Sequence, residues 1–310
     1  MAETMATRQA YGKTLIELGE KYPQLVVMDA DLSKSTMTAE FGKTYPDRFF
    51  NMGIAEQNLY GAAAGLALSG KIVCASTFAM FATGRAFEII RNSIGYTRAN
   101  VKICATHAGI TVGEDGASHQ TFEDIALMRT IPGMTVINPS DGVSAKKLLE
   151  QAVAMEGPCY VRLGRAKVPV FYEDSDQLTL GKGNLVKDGK DVTIVATGIM
   201  VSEAMAAAEK LKADGIDARI IDIHTIKPID EEILIKAAQE TGAIVTAEEH
   251  SIIGGLGSAV AEVIVKNCPV KMAMVGQKDT YGESGKPDEL KKKYGMTAED
   301  IEAAVKNLIG

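Results

Sequence analysis

The chain has 310 residues, of which 46% are hydrophobic and 24% charged, a composition typical of a water-soluble globular protein long enough for two domains. A formal net charge of −7 without a basic stripe argues against nucleic acid as a partner, and four separated cysteines in apolar runs argue against a disulfide framework or a zinc site. The longest apolar stretch, residues 72–82, is too short to span a bilayer, and the amino terminus lacks a signal pattern, so we expect no membrane partner and a cytoplasmic location.

The first half of the chain alternates continuous apolar runs with helical patterns. Strands are predicted over residues 25–28, 72–76, 101–106, 135–138 and 159–162. Helices are predicted over residues 7–20, 56–68, 85–94, 122–129 and 143–155. Because apolar strands joined by helices are typical of a parallel sheet covered on both faces, we expect such a sheet here.

A segment rich in Pro, Gly and acidic residues separates this pattern from a second one. Residues 163–189 have the composition of an inter-domain connector. The second pattern predicts strands over residues 192–196, 218–223, 244–247 and 270–275, and helices over residues 202–212, 231–240, 258–266 and 298–308. We therefore predict an α/β fold with two open, mostly parallel three-layer α/β/α domains, over residues 1–170 and 191–310, joined by a linker over residues 171–190.

Polar side chains follow the predicted strands of the first half. Open α/β sheets bind ligands at the carboxyl ends of their strands. The candidate site is therefore formed by Asp29, Asp31, Glu56, Ser76, Thr77, His107, Arg162 and Arg165. Glu56 lies between an apolar run and a helix, in the sequence GIAEQN. Its position alone favours a carboxylate that stabilises a helix N-terminus, but its wider context favours a functional acid that needs a partner.

Two further segments combine residues that chemistry uses. Phe78 and Phe81 are three apart and lie on one side of a helical turn, a spacing that core packing alone would explain. The glycine-rich loop 107–120 holds His107 and His119, two of the four histidines of the chain, together with two acids. A purely structural loop seldom needs this composition, so we interpret the loop as functional.

Seven short motifs occur in one order along the chain: TRQAYG at Thr7, DADLSKS at Asp29, GIAEQN at Gly53, STFAMF at Ser76, THAGITVGEDGASHQ at Thr106, NPSDG at Asn138 and GESGKP at Gly282. Together they resemble transketolase over residues 7–308. The resemblance is to the C-terminal half of that enzyme, namely the pyrimidine-binding domain and the C-terminal domain. Each motif alone is weak, whereas seven in the same order are specific.

The resemblance implies thiamine diphosphate as the cofactor. Glu56 would be catalytic and would bind the ring nitrogen of the aminopyrimidine, which favours the imino tautomer that removes the thiazolium C2 proton. Phe78 and Phe81 would pack on the pyrimidine, and Asp31 would lie near the cofactor. The chain departs from the family pattern at Gly84, which is one extra residue before Arg85, so the order in which the two Phe rings stack stays open.

The resemblance also implies a channel for sugar phosphates. His119, as a second catalytic residue able to move a proton near neutral pH, and Asp115 would contact substrate hydroxyl groups. The terminal phosphate would be bound by Arg8, Ser35, His107 and Arg165. Arginine suits this task because its planar guanidinium matches two phosphate oxygens. Transfer of a two-carbon ketol unit, as in the pentose phosphate pathway, is the activity that follows.

One family motif is missing. Transketolases bind the diphosphate and Mg²⁺ through a Gly-Asp-Gly motif and a later Asn, and this sequence has no Gly-Asp-Gly. We therefore expect no metal ligands in this chain, and a separate N-terminal subunit that supplies them to a dimer of this chain in an α2β2 heterotetramer. A truncated single-chain enzyme is the other explanation; the start at Met1 and the complete second domain favour a natural subunit.

The sequence GGLGSA at Gly254 lies between a predicted strand and a helix, as a dinucleotide-binding loop would. Val260 stands where that motif has its third glycine, so a tight turn is the better interpretation. His250 follows two acids, and we interpret it as an interface or structural residue.

Other classes stay open. A 1-deoxyxylulose-5-phosphate synthase has a similar domain order, but Glu114 and Arg85 do not fit its pattern. The beta subunit of a 2-oxoacid dehydrogenase lacks the His-rich loop. A non-catalytic paralogue that only pairs with another chain is the alternative from outside the enzymes, and the intact Glu56, His107 and His119 argue against it.

Overall fold

The computed structural model describes residues 3–310. The first half contains, in chain order, β1 (Thr4–Met5), α1 (Thr7–Lys21), β2 (Leu25–Asp29), α2 (Ser33–Thr36), α3 (Ala39–Thr44), β3 (Phe49–Asn51), α4 (Glu56–Leu68), β4 (Ile72–Ser76), α5 (Phe87–Ile89), β5 (Val101–Ala105), α6 (Asp124–Thr130), β6 (Thr135–Ile137), α7 (Gly142–Ala154), β7 (Cys159–Arg162) and β8 (Val168–Pro169). Two π-helical segments, Phe81–Arg85 and Ile90–Tyr96, flank α5, and a 3₁₀ segment, Ile110–Asp115, follows β5.

The second half contains, in chain order, β9 (Asn184–Lys187), β10 (Val192–Ala196), α8 (Met200–Ala213), β11 (Ala218–Asp222), β12 (Thr225–Lys227), α9 (Glu231–Thr241), β13 (Ala243–Ser251), α10 (Leu256–Asn267), β14 (Lys271–Gln277), α11 (Pro287–Lys293) and α12 (Ala298–Ile309). None of the helices within residues 3–310 has the length and apolar character that crossing a bilayer requires.

The strands form two main sheets. The first has the order β12-β6-β7-β5-β4-β2-β3 and is parallel except for the edge pair β12–β6. The second has the order β14-β13-β10-β11-β9 and is parallel except for the edge pair β11–β9. A short antiparallel pair, β1–β8, lies outside both sheets. The predicted fold class, two mostly parallel α/β/α units, is confirmed.

Helices cover both faces of each sheet. On the first sheet, α1 and α7 pack on one face through residues such as Leu15 and Leu148, and α4 and α6 pack on the other through residues such as Leu59 and Ile125. On the second sheet, α8 and α12 cover one face and α9 and α10 the other. Strands buried from both sides need apolar side chains at successive positions, which explains the continuous apolar runs in the sequence.

Three features differ from the sequence-based prediction. Strand β12 belongs to the second half of the chain but extends the first sheet, where it pairs with the edge strand β6. Strand β9 forms inside the stretch that we expected to be a linker, because its backbone pairs with the edge of β11. The single helix expected over residues 85–94 is instead α5 between two π-helical segments. A π-helical turn holds one residue more than an α-helical turn, which fits the extra residue at Gly84.

Candidate active site

Glu56 is the first residue of α4, and Ala55 is the N-cap residue before it. The glutamate side chain is 3% exposed, and its Oε2 lies 2.9 Å from Nη1 of Arg85. The side chain therefore does not act as the N-cap, and its charge is paired with a cation from the π-helical segment. Sequence reasoning missed this partner; its only signal was the extra residue that shifts Arg85 along the helix.

Phe78 and Phe81 belong to an aromatic cluster at the ends of β4 and β5. Their ring centroids are 5.9 Å apart and nearly parallel, and the Phe78 ring stacks on the imidazole of His107 at 3.9 Å. The imidazole of His119 meets Phe81 edge-on at 5.4 Å and Phe78 at 6.2 Å. The structure thus brings together four predicted site residues, and the two nearly parallel phenylalanine rings form an aromatic wall of the kind that packs against a planar ligand.

His107 is buried beside this wall and adopts a left-handed backbone conformation, with φ of +58°. Its Nδ1 lies 2.8 Å from the hydroxyl of Thr106. Burial, followed by the charges of Arg8 and Arg165 and by His119, lowers the pKa of His107 to about 3. The imidazole is therefore neutral near pH 7 and can serve as a hydrogen-bonding group.

Arg8 and Arg165 lie near each other and near His107. Nη1 of Arg8 donates to the carbonyl oxygen of Ser35 at 2.6 Å. Nη1 of Arg165 donates to the carbonyl oxygen of Val112 and to Oε2 of Glu114, the latter at 2.8 Å. Burial and the charge of Arg165 lower the pKa of Arg8. The predicted anion-binding residues Arg8, Ser35, His107 and Arg165 therefore form one basic group.

In both arginines, Nη1 is the guanidinium nitrogen that donates hydrogen bonds to the protein. Nε of Arg8 is buried and has no hydrogen-bond partner among the described residues. A buried donor without an acceptor is unfavourable, and such groups are rare in folded proteins. An anion that accepts from the free edge of Arg8 would remove this deficit, and phosphate has the right shape for it.

Asp31 and Asp115 are exposed. The backbone of Asp31 has φ of +65°, and its N–H donates to Oδ1 of Asn51 at 3.0 Å. Nδ1 of His119 lies 3.0 Å from the hydroxyl of Ser118. Within residues 3–310, no aromatic contact or ion pair joins Asp31 or Asp115 to the cluster around Phe78, so the two acids lie outside that cluster.

Arg162 was expected at the ligand-binding edge of the sheet, and that expectation is wrong. Its Nε lies 2.6 Å from Oδ2 of Asp124, and its Nη2 donates to the carbonyl oxygen of Glu249 in the second half of the chain. The Glu249 carboxylate in turn accepts from the backbone N–H of Thr111 at 2.7 Å. The guanidinium can be buried because the Asp124 carboxylate and the Glu249 carbonyl oxygen replace the hydrogen bonds that water would otherwise make to it. This network supports the loop 107–120 from behind.

The backbone N–H groups of the GGLG segment at the start of α10 bind a carboxylate of the protein itself. The Glu248 carboxylate accepts from the backbone N–H groups of Leu256 and Gly257 at 2.6 and 2.8 Å. A Cβ on Gly255 would lie 2.0 Å from Oε2 of Glu248, so close approach explains this glycine. His250 is buried between Asp124 and Glu248, as an interface residue would be.

Residues 3–310 contain no cluster of three or more His, Cys, Asp or Glu side chains that could hold a metal ion. The side chains around Phe78 and Arg8 fit an aromatic ring and an oxyanion. Glu56 with the wall of Phe78 and Phe81 is the part of the site that suits an aminopyrimidine.

In this mostly parallel α/β architecture, a buried acid at a helix start, two stacked phenylalanine rings and an adjacent basic group lie at one edge of the first sheet. The family of the transketolase pyrimidine-binding domain matches residues 3–170, and that of the transketolase C-terminal domain matches residues 181–301. The chain belongs to the transketolase family.

Individual relatives agree with this assignment. A protein of Methanocaldococcus jannaschii described as a transketolase C-terminal section is 57% identical over 95% of this chain and 93% of its own length. The 6-deoxy-6-sulfo-D-fructose transketolase subunit of Clostridium sp. (strain MSTE9) is 44% identical over 95% of this chain and 91% of its own length. A solved structure described as a split gene transketolase, inactive beta4 tetramer, superposes with a TM-score of 0.91 at 54% identity and covers 99% of both chains.

Proposed function

We propose that this chain is the C-terminal subunit of a two-component transketolase, which transfers a two-carbon ketol unit from a ketose phosphate to an aldose phosphate. The observation that carries the proposal is the half-site itself. Glu56, the wall of Phe78 and Phe81, and the basic group at Arg8 lie together. Family membership supports dependence on thiamine diphosphate, which supplies a carbon nucleophile when it is bound.

In this proposal Glu56 acts on the aminopyrimidine ring. Its carboxylate is enclosed, fixed by Arg85 through Oε2, and sits at a helix start where negative charge is favoured. It would exchange a proton with the pyrimidine ring nitrogen. Phe78 and Phe81 would hold the ring flat and exclude water. His119, edge-on to both rings, would accept or donate a proton at a substrate hydroxyl, with Asp115 and Asp31 at the rim.

The basic group sets the proposed substrate class. Arg8, Ser35, His107 and Arg165 would bind a terminal phosphate, supported by the free donor edge of Arg8. Because His107 is neutral, the attraction comes from the two guanidinium groups, and His107 contributes hydrogen bonds. Sulfonate presents the same tetrahedral oxyanion, and one relative is described as acting on a sulfofructose.

The partner is proposed to be an N-terminal subunit that carries the diphosphate and Mg²⁺ ligands. A second copy of this chain would complete an α2β2 heterotetramer. The exposed side of α4 supports a contact between copies: Ile54, just before the helix, is 77% exposed and Leu68, at its end, is 64% exposed, and Gly61 and Gly65 lie between them with open space around them. Glycines at this spacing allow another helix to approach closely.

Reconstitution tests the proposal. The purified chain should have no transketolase activity alone, and addition of a matching N-terminal chain, thiamine diphosphate and Mg²⁺ should restore turnover of a ketose phosphate. Activity of the isolated chain equal to that of the mixture would contradict the half-site. Turnover of pyruvate with glyceraldehyde 3-phosphate would favour a 1-deoxyxylulose-5-phosphate synthase. Oxidative decarboxylation of a 2-oxoacid would favour a 2-oxoacid dehydrogenase. The absence of turnover with every donor would favour a non-catalytic pairing subunit.

A further inference from the structure

Arg85 contacts two parts of the proposed cofactor site at once. Its Nη1 lies 2.9 Å from Oε2 of Glu56, and its guanidinium carbon lies 4.9 Å from the centre of the Phe81 ring. The side chain of Arg85 is 51% exposed, whereas that of Glu56 is 3% exposed. Arg85 therefore covers a buried carboxylate and an aromatic ring from the solvent side.

The pair that Arg85 forms with Glu56 differs from an ordinary surface ion pair. A pair between two solvated side chains contributes little, because water competes for both charges. Here the acid is enclosed, and Arg85 is the only cation within 4.0 Å of it among the described residues. No described residue donates to Oε1 of Glu56. Arg85 thus fixes one carboxylate oxygen and leaves the other without a protein partner.

The π-helical turn explains how Arg85 reaches both groups. One additional residue rotates the following side chain by about 100° around a helix axis. The turn Phe81–Arg85 ends at Arg85, whose carbonyl oxygen also accepts from the Gln57 side chain of α4 at 3.4 Å. The segment is therefore tied to α4 through the main chain and the side chain of the same residue.

We propose that Arg85 is a positioning residue, which holds the Glu56 carboxylate and the Phe81 ring in the orientation that the aminopyrimidine of thiamine diphosphate requires. The proposal rests on the proposed function. Binding through Oε2 restricts rotation of the carboxylate, and the guanidinium over the ring restricts Phe81 by a cation–π contact. A site held in this way loses less entropy when the cofactor binds.

The first test uses the chain without cofactor. Arg85→Met leaves the Glu56 carboxylate enclosed and unpaired, so the urea midpoint of the chain at pH 8 should fall. The double variant Glu56→Gln/Arg85→Met should recover most of the loss, because it removes the unpaired charge. Arg91→Met is the matched control, since Arg91 is exposed and its Nη1 bonds only Asn92. Equal midpoints for Arg85→Met and Arg91→Met would overturn the proposal.

The second test follows the cofactor in the reconstituted assembly. NMR measures the exchange of the C2 hydrogen of thiamine diphosphate for deuterium, and titration measures the cofactor Kd. Arg85→Met should slow exchange about tenfold or more, as expected for a misoriented acid–base group. Arg85→Lys should recover part of the rate, because lysine keeps the charge and lacks the planar face.

The outcomes separate the two proposals. Slow exchange in Glu56→Gln with normal exchange in Arg85→Met would overturn the role of Arg85 alone. Normal exchange in Glu56→Gln would overturn the proposed function of Glu56 and, with it, the role of Arg85. Slow exchange in both Glu56→Gln and Arg85→Met, a partly restored rate in Arg85→Lys and an unchanged rate in Arg91→Met would support both the function of Glu56 and the positioning role of Arg85.

Discussion

Arg162 and Asp124 form an ion pair that is almost completely removed from water. Nε of Arg162 lies 2.6 Å from Oδ2 of Asp124, and the two side chains are 3% and 0% exposed. Burial by itself raises the pKa of the Asp124 carboxyl, but the charge of Arg162, the neighbouring His250 and the hydrogen bonds from Arg162 and Tyr160 together outweigh it, and the pKa is lower than usual. The same guanidinium donates to the carbonyl oxygen of Glu249, so one side chain connects both halves of the chain.

Loss of Arg162 should therefore destabilise the fold strongly. Arg162→Met leaves the carboxylates of Asp124 and Glu249 buried without a cation, and removing one partner of such a pair costs about 3–5 kcal/mol. Urea unfolding at pH 7.5 measures the free energy of unfolding. The exposed Arg91→Met should stay within about 0.5 kcal/mol of the parent. A loss below about 1 kcal/mol for Arg162→Met would show that the pair contributes no more than a surface contact.

Asp222 should make stability depend on pH. Burial raises the pKa of this carboxyl to about 7, although Ser140 and Tyr172 donate hydrogen bonds to it. The unfolded carboxyl has the usual value of 3.8. Between the two values the folded state keeps a proton that the unfolded state has released, so the contribution of Asp222 to the free energy of unfolding falls as pH rises through this window.

Asp222→Asn should remove that fall. An amide stays neutral and can still accept a hydrogen bond, so the variant should gain stability over the parent by about 2–4 kcal/mol at pH 8 and lose the gain near pH 4. Asp279→Asn, at an exposed position, is the control for a general charge effect. A difference between Asp222→Asn and the parent that does not change with pH would contradict the protonated state of this carboxyl.

Glu56→Gln should abolish most activity without unfolding the chain. Glutamine keeps the shape and can still accept from Arg85, but it cannot exchange a proton with the pyrimidine. Ketol transfer in the reconstituted enzyme should fall on the order of 10²-fold or more. Glu88→Gln, on the exposed side of α5, should leave turnover unchanged. Turnover of Glu56→Gln close to that of the parent would mean that the acid only supports the helix start.

Arg165→Ala should weaken the binding of a phosphorylated donor. Its guanidinium would contact a group remote from the reacting carbon, so KM should change more than kcat. A charged hydrogen bond contributes about 1.5–3 kcal/mol, so KM for xylulose 5-phosphate should rise about ten- to a hundredfold. Hydroxypyruvate, a donor without phosphate, serves as the control substrate. Equal losses with both donors would assign Arg165 to the fold or the cofactor site.

The amino-acid sequence by itself determined the local structure and the family. Continuous apolar runs such as residues 72–75 are typical of strands covered by helices on both faces, so their alternation with helices predicted the three-layer units. Polar residues after the strands, Glu56 and His107 among them, predicted a candidate site at one edge of the sheet, and the structure brings several of these residues close together there. These signals depend on residues close in sequence, which is why they could be interpreted without coordinates.

Only the tertiary structure decided which charges pair and how the two halves join. Arg85 meets Glu56, Arg162 turns inward to Asp124, and β12 of the second half extends the first sheet. Each of these contacts joins residues far apart in sequence. A local pattern specifies which face of an element is buried, but it does not specify the partner that the face or the charge meets, because that depends on how separate elements pack.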